Sequence, residues 1–545
     1  MFKKGKNDGN LKLEIQQASR RDFVQETVGD FGRWQFKISL LMSLLKLPMA
    51  WFQLGIVFIA PPFDFTCKVP TEQEGKDWKL IAQPNSCYLR NISALNETAS
   101  KIPCDWGYEY DRSTMKSTII MEWNLVCQSA RLVEVTQITF MFGVLLGSVI
   151  FGVAADRYGR KSSLIVAIIL QAVCGIISSL VSSFWIFVFV RFFLALGNGG
   201  TLISSFVMCM ESVSGTYRTI VPILYQTPYV FGNLIMTFLA YYLNDWRKLN
   251  LVLSVLSCLF ISYIWLLSES PRWLLAVGKK MEALKILKAA ARMNNKKSPV
   301  EFRKDEENYF IAQVFEKPNF SQLLVTPELR KRTIFLSLSW FLTGVIFFAL
   351  SQYMSSVGKN IYLSVIASGA LAVPGTIMCI FIIRKTGRKK TIIFANILTT
   401  VSTAAIAFFP KGEYTADWPR LILSALVFTG ISMSLPAFFL FTGELYPTTL
   451  RNAGSGGTIM FSKIGSMVAP FLLTLQSVFE SLTVIVLAAL GLLTIVFIAP
   501  LPETMGKELL ETVADLQKQK LNKKNIQLTD NESFEDKDGC NSVLR

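Results

Sequence analysis

The sequence predicts an all-α membrane protein of twelve transmembrane helices in two similar six-helix halves. Three observations predict it. The 545-residue chain is 51% hydrophobic, with a mean hydropathy of +0.40, too apolar for a soluble protein of this size. It carries a series of apolar runs of about 18 or more residues, and roughly 20 residues cross the ~30 Å hydrocarbon layer. Its landmarks occur twice. The charged turn 156–161 (DRYGRK) is echoed at 384–390 (RKTGRKK), with Gly159 and Gly387 228 apart. Glu211 and Arg218 return as Glu444 and Arg451 after 233 residues, and Glu269 as Glu503 after 234. Order and spacing both repeat, as in a duplicated half. Duplicated halves around a midplane site are a recurring transporter architecture.

Residues 1–35 are polar, with no short apolar core ahead of a small-residue cleavage site, and read as a cytoplasmic N-terminus. The N-terminal half is 36–267. Its first span, 36–60, contains Lys46 and Pro48. A polar extracellular loop, 61–131, holds Cys67, Cys87, Cys104 and Cys127 and two sequons at Asn91 and Asn96. Cysteines and sequons together fit an oxidising, glycosylating exterior. Four cysteines allow three pairings, and the sequence does not choose. Spans two to six are 132–154, 163–181, 184–207, 220–242 and 249–267. Residues 268–332 form a cytoplasmic loop in which 269–332 hold 14 Lys/Arg against 8 Asp/Glu, the bias of inner loops. Within it, 279–293 has helical spacing of apolar residues. The C-terminal half, 333–500, has spans at 333–351, 361–383, 391–409, 419–442, 454–475 and 478–499. The cytoplasmic tail, 501–545, is polar, with disorder expected beyond 517.

The net charge of +16 would suggest nucleic acid in a soluble protein. Here it sits mostly in loops on the inner side, so no nucleic-acid partner is needed. The chain has no His, which removes His-based metal sites and Ser-His or Cys-His pairs. No catalytic motif, metal site or cofactor site is found, so no enzyme is expected. The partners expected are the lipid bilayer and a small organic ion, with a monomeric carrier unit.

Two sets of residues stand out. Asp156, Arg157, Arg160, Glu211 and Arg218, with Arg388, Glu444 and Arg451, lie at the inner ends of the spans. They are expected to form ion-pair clusters that hold the halves together when the inner side is shut. The plainer alternative is that they only fix topology. Inside the membrane a charge is costly and marks function by default. Lys463 lies twelve residues past Arg451, about 18 Å along a helix and near mid-bilayer. No Asp or Glu is central to any span, so Lys463 reads as an anion-attracting centre. Lys46, beside Pro48, reads as a second contact or a kink residue. Arg191 reads as a packing charge. Trp51, Tyr225, Tyr229, Phe347, Phe348 and Phe439 are candidate cavity aromatics, suited to bulky amphipathic solutes. Without a mid-span acid or His, proton symport through a carboxylate is not expected.

These residues resemble the major facilitator superfamily, and more closely its organic-ion branch, solute carrier family 22. Residues 152–161 match the superfamily loop signature, and 117–127 (STIIMEWNLVC) resembles the branch's segment ahead of span two, with Asn124 where Asp is usual. Residues 269–274 (ESPRWL), 444–451 (ELYPTTLR) and 501–504 (LPET) match as well. Arg384 and Lys385 stand where an acid often precedes the second turn. The resemblance implies the major facilitator fold and a plasma-membrane carrier with both termini cytoplasmic. It places the branch's implicated aromatics at Tyr229, Phe347, Phe348 and Phe439. Anion and carnitine-type carriers have a basic residue in span eleven, where this chain has Lys463; cation carriers have Asp. Their second basic position, in span eight, is Thr376 here, which weakens a dicarboxylate-exchange reading. The expected function is transport of organic anions or carboxylate-bearing zwitterions by alternating access. An organic cation carrier on the same fold, or a scaffold that moves nothing, are the rivals.

Overall fold

The computed structural model describes residues 23–506, apart from 62–63, 70–77, 84, 94–95, 114, 216, 297–322, 324–325, 359, 411, 448–449, 478 and 480. Each long apolar run is helical, because only a helix satisfies its backbone N–H and C=O groups within lipid. In the first half these are α1 (Arg33–Ile59), α2 (Arg131–Tyr158), α3 (Arg160–Leu180), α4 (Phe184–Ser212), α5 (Thr227–Leu243) and α6 (Trp246–Leu266). In the second half they are α7 (Pro327–Val357), α8 (Ile361–Thr386), α9 (Arg388–Ile406), α10 (Trp418–Leu445), α11 (Arg451–Leu473) and α12 (Leu482–Ile498). Nine of the twelve are long and apolar enough by themselves to cross a membrane; α5 and α12 are short, and α9 begins on three basic residues. The predicted disorder beyond 517 lies outside the described residues.

Glycine shapes the bundle in two ways. Gly159 and Gly387 carry φ of +110° and +94°, letting α2 turn into α3, and α8 into α9, without a linker. A Cβ on Gly159 would lie 2.5 Å from a Glu269 carboxylate oxygen. Other glycines let backbones touch. A Cβ on Gly344 would lie 2.0 Å from the Ser462 carbonyl oxygen, and one on Gly465 2.1 Å from that of Phe341, so α7 and α11 cross in backbone contact. In the first half Gly232 does the same for α5 and α1, meeting the Leu47 carbonyl. Gly232 and Gly465 are 233 residues apart, the spacing of the charged landmarks. The two crossings are thus repeat mates, and each places a lysine: Lys46 adjoins Leu47 and Lys463 adjoins Ser462.

The halves meet along two seams, α2 against α11 and α5 against α8. At the end bearing the disulfides, Tyr362 stacks on Phe58 (5.9 Å) and its hydroxyl donates to Asn244 (3.0 Å).

The polar segment between α1 and α2 is more ordered than the expected loop. Strand β1 (Phe65–Cys67) pairs with β5 (Tyr108–Tyr110), and β2 (Trp78–Ala82), β3 (Tyr88–Ser93) and β4 (Asn96–Pro103) form a second antiparallel sheet. These strands are too short for their alternation to show in sequence. The cysteines pair Cys67–Cys104 and Cys87–Cys127, which settles the three-way choice. Asn91 lies on β3 and Asn96 opens β4; their side chains lie outside the description. A short helix, Ile119–Trp123, then clamps this segment to the bundle. Its Glu122 accepts from the Trp246 indole (2.9 Å) and the Arg247 guanidinium, which also donates to the Ser179 and Val181 carbonyls at the end of α3. Asn124 ends the helix at φ 50° and accepts from the Tyr110 hydroxyl. Asn tolerates the left-handed region, so it serves in the place where Asp is usual.

At the opposite end, an amphipathic helix, Lys280–Met293, buries Ala283, Leu287, Ala290 and Ala291. Its C-cap residue, Asn294, accepts from the Trp34 backbone N–H (2.9 Å) and donates to Gln35 (2.7 Å), capping the start of α1.

Candidate functional site

Two lysines meet where the halves adjoin. Lys46 is thirteen residues from either end of α1, about 20 Å of helix each way, too far to snorkel to an interface. It is only 4% exposed, and its Nζ lies 4.6 Å from the Tyr225 ring centroid. The Tyr225 hydroxyl shares a 2.7 Å hydrogen bond with Ser205 of α4. Lys463, mid-way along α11, has its Nζ 5.4 Å from the Phe348 ring on α7. Among the described residues no carboxylate pairs with either ammonium. The two lysines feel each other's charge.

Rings join the lysines across the seam. Tyr229 lies 6.3 Å from Phe347, and Phe347 meets Phe348 edge-on at 5.0 Å. The Tyr229 hydroxyl donates to Gln53 (3.3 Å), whose amide donates to Asn198 (2.7 Å), which donates to Gln171 (3.2 Å). This buried amide chain fixes α1, α4 and α3 together and orients the Tyr229 ring. Phe439 packs on Trp340 (4.7 Å) and, across the seam, on Phe206 (5.9 Å), which in turn lies 5.8 Å from Tyr225. Tyr229, Phe347, Phe439, Phe206 and Lys463 keep partial exposure although they lie mid-bundle.

Of the residues singled out in sequence, Lys46, Lys463, Tyr225, Tyr229, Phe347, Phe348 and Phe439 thus come together. Trp51 does not: it is 4% exposed and donates to the Gly232 carbonyl (2.9 Å), packing the α1–α5 crossing. Phe206, Trp340, Asn198 and Ser205 were missed. Only the polar Asn198, within an otherwise apolar helix, carried a signal. Arg191 is buried, its guanidinium 5.0 Å from the Phe140 ring and 5.7 Å from Phe187.

The charged landmarks form two matched clusters at the other end. Arg160 pairs with Glu211 (3.1 Å) and with Asp156; Glu211 also accepts from the Ser270 hydroxyl. Arg388 grips Glu444 with two nitrogens, each at 3.0 Å, and Glu444 accepts from the Thr504 hydroxyl (2.6 Å). Glu269 accepts from the Lys161 backbone N–H (3.0 Å), and Glu503 from those of Arg388 (3.0 Å) and Lys389 (3.1 Å), so each carboxylate caps a helix N-terminus. Both clusters join helices of one half to each other, not one half to the other as the sequence reading expected. They brace each half as a rigid body. The counterpart of Asp156, 228 residues on, is Arg384, so the second cluster lacks the third acid. Arg157 stands apart, exposed over the Tyr158 ring (5.5 Å). The Arg218 backbone bonds to Gly215, and the Arg451 side chain lies outside the description.

Glu503 also yields a pH prediction. Partial burial pushes its carboxyl up, but backbone N–H groups of Met505, Thr504, Arg388 and Lys390 outweigh that and hold it below the ordinary glutamate range. A carboxylate held low stabilises fully above its unfolded pKa and loses that contribution as pH falls through the lowered value. The melting temperature of the purified protein should therefore hold steady down to about pH 5, then fall in stronger acid. In Glu503→Gln the acid-side drop should be smaller, from a lower starting point. Equal pH profiles would contradict the capping role.

Known proteins fit this geometry. A family model described as sugar (and other) transporter matches residues 85–515. Solute carrier family 22 member 3 of Rattus norvegicus is 30% identical, over 91% of this chain and 95% of its own. The organic anion transporter 3 of Pongo abelii is 32% identical, over 91% and 93%. The organic cation transporter protein of Drosophila melanogaster is 28% identical, over 91% and 94%. Among solved structures, the inward-open xylose transporter XylE from E. coli aligns with a TM-score of 0.61 at 18% identity, covering 87% of this chain and 98% of that one. That likeness carries the fold, and the sequence relatives carry the family. The chain belongs to solute carrier family 22: it is a multi-pass organic-ion transporter of the major facilitator fold, not an enzyme.

Proposed function

We propose that the protein carries organic anions, or zwitterions bearing a carboxylate, across the plasma membrane by alternating access. One observation carries this reading: an ammonium, Lys463, stands mid-bundle at the seam with no described carboxylate to neutralise it. The rings of Tyr229, Phe347, Phe348 and Phe439 would hold the apolar body of the solute. Relatives include both cation and anion carriers by name, so the family alone does not decide the charge. Electrostatics favours the anion. A unit charge ~6 Å from an ammonium gains or loses about 3 kcal/mol at an effective dielectric of 20. A cation would gain roughly 0.5–2 kcal/mol from ring faces, which does not offset that repulsion. The disulfide-bearing sheets face outward in this reading, with Asn91 and Asn96 glycosylated and both termini cytoplasmic. Lacking a mid-bundle acid, the carrier works by exchange or facilitated diffusion, as a monomeric unit.

The test is uptake into proteoliposomes of three probes sharing one skeleton: 3-phenylpropanoate, phenylalanine and phenethylamine. The anion or the zwitterion should exceed the amine at least about tenfold in kcat/KM, a difference of about 1.4 kcal/mol. Preference for the amine would overturn the charge argument. No saturable flux of any probe would favour a scaffold.

A further inference from the structure

We propose that Lys46 is a second specificity-determining residue, and that the site takes solutes with two separated anionic groups, one on each lysine. The inference rests on the anion reading of Lys463. The two cations belong to different halves, Lys46 on α1 and Lys463 on α11. They stand at opposite ends of one row of rings. Lys46 sits over Tyr225, and Tyr229 follows four residues on, roughly 6 Å of helical rise. Tyr229 leads to Phe347 at 6.3 Å and Phe347 to Phe348 at 5.0 Å, where Lys463 stands 5.4 Å above the ring. An elongated solute lying along this row would have an aromatic floor for its body and an ammonium for each end.

The sequence hides this arrangement. The span-eight position that would supply a second basic residue is Thr376, whose hydroxyl is used by the Ala372 carbonyl. The second cation comes instead from the first helix, and only the folded bundle brings it beside the eleventh. Its setting argues against a purely structural lysine. Lys46 is 4% exposed, and no described carboxylate pairs with it. Burying a cation without a counter-charge is unfavourable, and one ring face compensates it only in part. With no solute the two ammonium groups repel across the seam. A monoanion answers one of them; a dianion answers both and ties the halves together through itself. Charge at both ends thus separates solutes that a single lysine would treat alike.

The experiment compares phenylacetate with 1,4-phenylenediacetate, which add one or two carboxylate arms to the same ring. Uptake is measured in proteoliposomes of the full chain, with phenethylamine as a third probe. The wild type should favour the diacid about tenfold in kcat/KM. In Lys46→Gln the diacid-to-monoacid ratio should fall to about one, and Lys46→Arg should restore it, since Arg keeps the charge. Thermal-shift titration of the wild-type protein with the two acids needs no variant: the diacid should stabilise at about tenfold lower concentration. A wild-type ratio near one, or a diacid preference that survives Lys46→Gln, overturns the inference but leaves the Lys463 reading standing. Uptake of phenethylamine with neither acid moved overturns both.

Discussion

Replacing Lys463 with Gln should lower anion uptake about a hundredfold, the loss of roughly 3 kcal/mol of attraction. The position is mid-bundle, its Nζ stands over Phe348, and no described carboxylate shares it, so nothing else on α11 substitutes for the charge. Lys463→Asp should go further and turn the preference toward amines, because a carboxylate then faces the same ring row. Lys463→Arg should retain anion transport with altered selectivity, since its planar fork meets a carboxylate in two places. Uptake of matched anion and amine probes, at equal surface density of each variant, reads all three. Anion transport that persists in Lys463→Asp would remove the basis for the proposed selectivity.

Gly465→Val should cost at least about tenfold in transport, or most of the surface protein, through packing alone, since overpacking a tight contact costs roughly 1–3 kcal/mol or more. The smallest side chain at this position would place its Cβ 2.1 Å from the Phe341 carbonyl, and that atom is backbone and cannot swing aside. The α7–α11 crossing must open, which carries Lys463, two residues away, off its place above Phe348. Gly456→Ala on the same helix is the control. Nothing lies within 4 Å of the place its new methyl group would take, and its transport should match wild type. Surface biotinylation with uptake distinguishes the two. A normal carrier with Val at 465 would mean that the crossing tolerates separation and does not hold the lysine.

What was legible in the sequence followed from strong one-dimensional signals. Apolar runs of membrane length announce helices because lipid leaves the backbone no other option. Glu211 with Glu444 and Gly159 with Gly387 betray duplication because each sits where a turn or ion pair admits few residues. Lys463 was legible because a charge in an apolar helix is conspicuous. Lys46 was equally visible, but its meaning was not: its neighbours Tyr225 and Ser205 lie more than 150 residues away in sequence. Trp51 and Tyr229 looked alike as mid-span aromatics. Only the fold shows that one packs a helix crossing while the other faces the seam. The charged landmarks were found, but their pairing within a half was not, because sequence spacing cannot say which helix a long side chain will reach. The strands between α1 and α2 escaped for want of length, and the cysteine pairing for want of geometry.

The most direct measurement of the central claim is the rate at which acetic anhydride labels Lys463 in the purified carrier, followed by mass spectrometry. An anion held by that ammonium should slow its labelling. 3-Phenylpropanoate should therefore protect Lys463 at concentrations where phenethylamine does not, while exposed lysines such as Lys280 are unaffected by either. Protection by the amine, or no protection by the anion at saturating uptake, would contradict the account.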